Sequence, residues 1–319
     1  MEETYSFFEN TYALLALLFT LVSIVLAIVF SKGKVKKSAA AVYGVLAGVL
    51  GLFVGRLVYC AVQFEFMFYD EIGNFAGLTP FFQMGNGRVN MGGILLGVLL
   101  AAPIAARITK ESTASLLDAA SLPGLLLYAV LRFIEPLSGQ GYGEWMENES
   151  LWFQPLCITN AWGDWMLSVC FIEGLLTAVL LIVLFCLRKK AAQPGTLFRY
   201  ALFLFCTVQV LPQCLRCDDV LFVFIFARVN HIALALVMFF AHLITLLKAK
   251  KRSLPGKTVA LEAILMALGE ILCIGTIFAL DKTNLPDLLV YFVMAAALAG
   301  MGFLACRRIH KEDQPCIAD

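Results

Sequence analysis

Charge is scarce in this chain of 319 residues. Asp, Glu, Lys and Arg together make up 15% of it, against 61% hydrophobic residues. A soluble globular domain carries about 25% charged and roughly 45–50% apolar residues. The shortage of charge excludes a soluble enzyme and a disordered chain. The ten Cys are scattered, mostly within apolar runs, and read as small buried hydrophobes rather than a secreted disulfide framework. Histidine is nearly absent, with His231, His242 and His310 only. Nothing points to nucleic acid, because the Lys and Arg are dispersed between apolar runs.

What is present is a series of long apolar segments. Crossing the hydrocarbon takes about 20 such residues in a helix. Nine runs qualify: 12–30, 39–63, 90–108, 115–137, 165–187, 198–216, 229–247, 258–280 and 285–305. Their continuity, without alternation, predicts an all-α polytopic helical bundle rather than a barrel. The first run is not a signal peptide, since Glu2 and Glu3 precede it and Lys32, Lys34, Lys36 and Lys37 follow it. Eighteen of the 24 Lys and Arg fall on alternate connections and the C-terminal tail. By the positive-inside rule this predicts the N-terminus outside and the C-terminus cytoplasmic. The loop 138–164 has no Lys or Arg and is expected outside. The basic connection 248–257, with Pro255 and Gly256, divides a seven-span core (1–247) from an added helical pair and tail (248–319).

Six cations do not fit that topology: Arg56, Arg88, Arg132, Arg216, Arg228 and Lys282. An Arg at the centre of a span costs roughly 2.5–3.5 kcal/mol on insertion scales, so such residues are functional candidates. Arg56, Arg88, Arg132 and Arg216 fall at similar depth, in the outer half or at the outer surface. Guanidiniums so placed need an anion, and Arg holds phosphate bidentately. That predicts a cavity for an anionic lipid headgroup; snorkelling with local ion pairs is the alternative. Glu135, Asp218 and Asp219 are the matching carboxylates. Gly92-Gly93 opens the third span, and Gly139, Gly141 and Gly143 follow Arg132. The first pair suits close helix packing; the second suits a loop folded over a headgroup.

These residues resemble the prolipoprotein diacylglyceryl transferase family. Its fourth-span pattern is Gly-Arg-Ile-Gly-Asn-Phe-x-Asn-Gly-Glu-x-Tyr-Gly. Here 131–143 keeps Arg132, Gly139, Tyr142 and Gly143 in register, with Gln140 at the Glu position and Glu135 at the first Asn. Asp118 stands where the family has an Asp fourteen residues upstream. Val54-Gly55-Arg56-Leu57-Val58-Tyr59 is similar to Gly-Ala-Arg-Leu-x-Tyr, with the Gly and Ala less strictly placed, and Met91-Gly92-Gly93 to His-Gly-Gly. Gln209 to Arg216 resembles Arg-Phe-x-x-Glu-x-x-Arg, with Gln209 for the first Arg and Gln213 for Glu. The family's His-Pro-x-Gln-x-Tyr-Glu finds no counterpart around 163–169.

The resemblance implies transfer of diacylglycerol from phosphatidylglycerol to the lipobox cysteine of a preprolipoprotein, in a bacterial plasma membrane. Its partners would be phosphatidylglycerol, the preprolipoprotein signal peptide and membrane lipids. Displacement of glycerol phosphate by sulfur needs a cation at the leaving phosphate and a base for the thiol; no metal or other cofactor is implied. Arg132 is the expected catalytic cation. Glu135 and His231 are the two available bases, an ion pair with Arg132 competing for the first and a plain interfacial hydrogen bond for the second. Arg56, Tyr59, Gly92, Gly93, Gly139, Gln140, Tyr142, Gly143, Gln209 and Arg216 are the expected substrate-binding set. Met91 cannot accept a proton, so an inactive relative that binds headgroups or lipoproteins is the alternative. A transporter would show repeats and broken midplane helices, which are not evident. Cys214-Leu215-Arg216-Cys217 lacks the second ligand pair that zinc wants. It leaves open a disulfide, with or without Cys157, or two unlinked thiols.

Overall fold

A computed structural model describes residues 2–31, 35–69, 73–75, 77–82, 89–146, 155–160, 163–218, 221, 228–251 and 256–313. In chain order the elements are α1 (Glu2–Phe30), α2 (Lys37–Val62), the short α3 (Phe64–Phe68) and α4 (Thr79–Phe82), α5 (Met91–Thr109) and α6 (Thr113–Ile134). A 3₁₀ turn (Glu135–Ser138) follows, then β1 (Tyr142–Trp145), β2 (Cys157–Thr159), β3 (Trp165–Ser168), α7 (Val169–Leu187), α8 (Thr196–Leu215), α9 (Val229–Lys251), α10 (Gly256–Lys282) and α11 (Asp287–Asp313). Among the described residues nine helices are long and apolar enough to cross a membrane, and they match the nine apolar runs. Long helices are what these runs must form, since each backbone group in hydrocarbon needs an internal partner. The connections carrying Lys and Arg lie at one end of the bundle, called here the basic end.

The α2–α5 pair is built on small residues. A Cβ added at Gly97 would lie 2.3 Å from the Leu50 carbonyl oxygen, and one at Gly93 would lie 2.7 Å from Gly55 Cα. Buried Ala101, Ala102 and Ala105 continue the seam. Without a hydrophobic force between helices in lipid, such close backbone approach supplies the association. Gly97→Ala is expected to destabilise the protein by about 1–3 kcal/mol, because the neighbour to be displaced is backbone. Gly124→Ala on α6, where an added Cβ meets nothing within 4 Å, is the control and should be neutral or slightly stabilising. Thermal unfolding in detergent, followed by tryptophan fluorescence, separates the two.

At the basic end, polar groups tie α11 to the earlier helices. The Asp313 carboxylate accepts from Ala192 N (2.8 Å), Gln193 N (2.9 Å) and Thr196 Oγ1 (2.8 Å). Arg199 on α8 pairs with Glu312 at 2.6 Å, and Arg308 with Glu262 of α10 at 3.1 Å. Asp118 accepts from Gly195 N (2.6 Å) and Phe198 N (2.8 Å), capping the start of α8. The aspartate matched by the family pattern is therefore a helix cap here, remote from the opposite end where Arg132 lies.

The opposite end holds a feature that an all-helical reading omits. β3 is the central strand of a small antiparallel sheet, order β1-β3-β2, pairing Tyr142 with Ser168 and Ile158 with Met166. The fifth spanning helix accordingly starts at Val169, and 165–168, read from sequence as its first turn, is strand. The sheet is pinned to the bundle by Cys170 N donating to the Gly141 carbonyl (2.9 Å) and Cys217 N to the Tyr142 carbonyl (3.0 Å).

Candidate functional site

α6 reaches the opposite end with Tyr128 and Arg132 one turn apart, and the 3₁₀ turn then presents Glu135. The chain doubles back through Gly139 (φ +71°) and Gly141 (φ +92°), a backbone region that L side chains resist. The close approach is real at Gly141: an added Cβ would lie 2.9 Å from Cys170 Sγ and 3.3 Å from the Glu135 carboxyl carbon. The turn also aims Gly141 N at Asp218, which accepts at 2.7 Å. Gly143 is needed for contact with α8, since its Cβ would meet the Leu215 carbonyl oxygen at 2.6 Å.

Arg132 and Arg216 meet over a set of buried carboxylates. Arg132 Nη1 donates to Glu135 at 2.6 Å, while its Nε approaches Glu173 at 2.8 Å as an ion pair without an aligned hydrogen bond. Arg216 donates to the other Glu135 oxygen at 2.7 Å, to Glu173 at 3.2 Å, and to Asp218. Glu135 thus sits between two guanidiniums, and Glu173 is fully buried. Two cations face three carboxylates, a formal sum of −1.

Neutral groups extend this cluster toward the interior. Gln213 donates to Glu173 at 2.7 Å, Asn230 to Gln213 at 2.9 Å, and Asn90 to Asn230 at 3.0 Å. Asn90 also caps α5, accepting from Gly93 N. Tyr128 donates to Gln209 at 2.9 Å, and Gln209 to Thr177 at 3.0 Å. The Met91 thioether lies 3.2 Å from the Tyr128 hydroxyl and 3.5 Å from Arg132 Nη2. Arg132 also stacks over the Tyr128 ring, 4.8 Å from its centroid, a favourable cation–π contact.

The structure therefore joins Arg132, Glu135, Gln209 and Arg216, under the loop of Gly139, Gln140, Tyr142 and Gly143. The other expected residues lie differently. Arg56 is fully buried, donates to the carbonyls of Pro80 and Phe81, and lies 5.5 Å from the Tyr59 ring centroid. Tyr59 packs with Cys60, Met67, Phe68, Leu221 and Val229. Both therefore hold the segment of α3 and α4 against α2. Gly92 and Gly93 are packing positions; an added Cβ at Gly92 would lie 2.4 Å from Ala233 Cβ. His231 faces Cys214, with Nε2 3.5 Å from Sγ. Arg228 donates to the Gln213 carbonyl, and Lys282 pairs with Asp281. Arg88 and Asp219 lie outside the described residues. Cys157, Cys214 and Cys217 are unlinked thiols in this structure. Among the described residues no group of three His, Cys, Asp or Glu is placed to hold a metal ion.

Glu173 is the charged residue of this cluster that sequence reasoning missed, beside the neutral Tyr128, Thr177, Asn90 and Asn230. It is the sole carboxylate in the apolar run Val169–Leu187, and its cost in hydrocarbon was the available signal.

The sequence model of the prolipoprotein diacylglyceryl transferase family matches residues 7–248. No curated protein matches the chain.

Proposed function

The chain belongs to the prolipoprotein diacylglyceryl transferase family, a family of multi-span membrane transferases of lipoprotein biosynthesis, and we propose that it transfers the diacylglyceryl group of phosphatidylglycerol to the lipobox cysteine of a preprolipoprotein. The observation that carries this reading is Glu135 held between Arg132 and Arg216 beneath the glycine loop. In the proposed step the cysteine sulfur attacks the glyceryl carbon that bears the phosphate ester. The carbon–oxygen bond breaks, and glycerol phosphate leaves with the electron pair. The thiol proton passes to Glu135. Protonation removes one negative charge from the cluster, so the guanidinium N–H groups that held Glu135 turn to the leaving phosphate, where charge develops. Loss of the carboxylate's charge and gain of the phosphate's are thus one exchange on the same two forks.

The proposed division is a transferase core over 1–247, the part that the family match over 7–248 supports, with 248–319 as the proposed added pair and tail. The proposed setting is a bacterial plasma membrane, with the N-terminus and the site at the outer face and the basic end in the cytoplasm. A single Cys at position 145 in a background without native thiols should be labelled from outside; labelling from the cytoplasmic side alone overturns the orientation.

One observation favours a second reading, a binding protein without chemistry. Met91 occupies the place of the family's histidine and touches Arg132, and both guanidiniums are closed onto carboxylates. The deciding experiment incubates the full chain in phosphatidylglycerol nanodiscs with a lipobox peptide and seeks the thioether adduct by mass, beside an active family member. Adduct is expected. Its absence while the control reacts, with lipid still retained, leaves the binding reading.

A further inference from the structure

Away from the arginine cluster, three soft donors from three helices converge. Cys214 Sγ on α8 lies 3.5 Å from His231 Nε2 on α9 and 3.9 Å from Met294 Sδ on α11. Met294 is fully buried, His231 is 8% exposed and Cys214 is partly buried. The Val210 carbonyl is 3.5 Å from the same thiol. One S–H proton therefore faces a carbonyl, a thioether and an imidazole nitrogen. His231 Nδ1, meanwhile, has no hydrogen-bond partner among the described residues. The His231 ring also meets the Val210 carbonyl, so the thiol, the thioether, the carbonyl and the imidazole form one local group.

The two separations from Cys214 suit a shared ion. Sulfur donors at about 2.3 Å and a nitrogen at about 2.0–2.1 Å from one metal, spread by roughly 110–120°, stand about 3.5–4.0 Å apart. Ligand softness and charge then choose the ion. Thiolate and thioether sulfur favour soft ions, cuprous ion and zinc among the biological metals. A monovalent cation on one thiolate makes a neutral site, the form that costs least to bury. A divalent ion would leave a net positive charge there, with Arg228 close enough to act on both Cys214 and His231. We propose that Cys214, His231 and Met294 form a binding site for a single soft monovalent metal ion, cuprous ion being the biological case. Binding releases the thiol proton to solvent, and the ion bonds to sulfur, sulfur and imidazole nitrogen.

Two donors lie within the family-matched residues and the third beyond them. A bound ion therefore staples α11 to α8 and α9 at the end opposite the Asp313 clamp, and coupling of metal affinity to stability follows. The site is independent of the transferase reading.

The test uses the reduced full chain in detergent, titrated with Cu(I) buffered by bicinchoninate and, separately, with Ag(I) as a redox-inert probe. Metal content after desalting, the copper K-edge absorption fine structure and the melting temperature are read together. One retained ion per chain is expected, with two sulfur and one nitrogen neighbours, and a melting temperature raised by several degrees. Cys214→Ser should weaken retention at least tenfold and abolish the thermal shift. Met294→Leu, a near volume-conserving change that keeps the fold, should weaken it at least tenfold and remove one sulfur neighbour. Cys60→Ser, in a separate packed group, should retain the ion as wild type does. Equal affinity in wild type and Met294→Leu overturns the proposal, as does a spectrum with oxygen and nitrogen neighbours alone.

Discussion

Arg216→Ala is expected to destabilise the folded protein by about 3–5 kcal/mol, the usual cost of stranding buried charge by removing one partner. Arg216 contacts Glu135, Glu173 and Asp218, and its removal leaves three largely buried carboxylates facing Arg132 alone. Asp218 then keeps the Gly141 amide but loses its guanidinium partner, and the glycine loop that this amide anchors is expected to loosen with it. The comparison that isolates burial is Lys282→Ala. Its pair with Asp281 is also short, 2.7 Å, but both side chains are about two-fifths exposed, and exposed pairs contribute roughly 0–1 kcal/mol. Unfolding in graded detergent denaturant measures both. Adding Glu173→Gln to Arg216→Ala should recover part of the loss, because it removes one of the stranded charges while Gln213 can still bond to the new amide. Equal, small effects of Arg216→Ala and Lys282→Ala would mean that the cluster is hydrated, and the interior account of it would fail.

The helical frame was legible because hydrocarbon thickness imposes one length on every span, and apolar runs of that length have one stable solution. The Arg132–Glu135 pair was legible because the two stand three positions apart where α6 runs into the 3₁₀ turn. Arg56 shows where such reading stops. Its depth follows from its place along α2, but its direction does not, and the guanidinium turns to the carbonyls of Pro80 and Phe81. Glu173 was hidden by a different cause: its partners lie forty-one and forty-three residues away on other helices, a relation set by packing. The three short strands carry no alternation long enough to read. Their register depends on the Gly141–Cys170 and Tyr142–Cys217 backbone bonds, which exist only once α7 and α8 are in place.

Glu135→Gln is expected to lower adduct formation by about 10²–10⁴-fold, the range for losing a general base, with little loss of fold. The amide keeps the shape of the carboxylate and one acceptor for the guanidiniums, and it moves the formal sum of the five charges from −1 to zero rather than farther from it. A purely structural Glu135 predicts the reverse pattern: transfer unchanged, melting temperature lowered. Arg132→Lys supplies the complementary measurement. Arg132 reaches Glu135 through Nη1 and Glu173 through Nε at once, a span that a single ammonium cannot reproduce. If the same fork takes the leaving phosphate, Arg132→Lys should cut phosphatidylglycerol retention in native mass spectrometry about ten- to hundredfold, the equivalent of about 1.5–3 kcal/mol for a charge-assisted hydrogen bond, and leave phosphatidylcholine retention nearly unchanged. Glu135→Gln should instead preserve phosphatidylglycerol retention, because it frees guanidinium N–H groups without removing positive charge. Loss of transfer with retained lipid in Glu135→Gln, beside loss of both in Arg132→Lys, assigns proton acceptance to one residue and phosphate to the other. Full rescue by Lys, or wild-type transfer by Glu135→Gln, reduces the pair to the ion bridge that closes α6 onto α7 and α8.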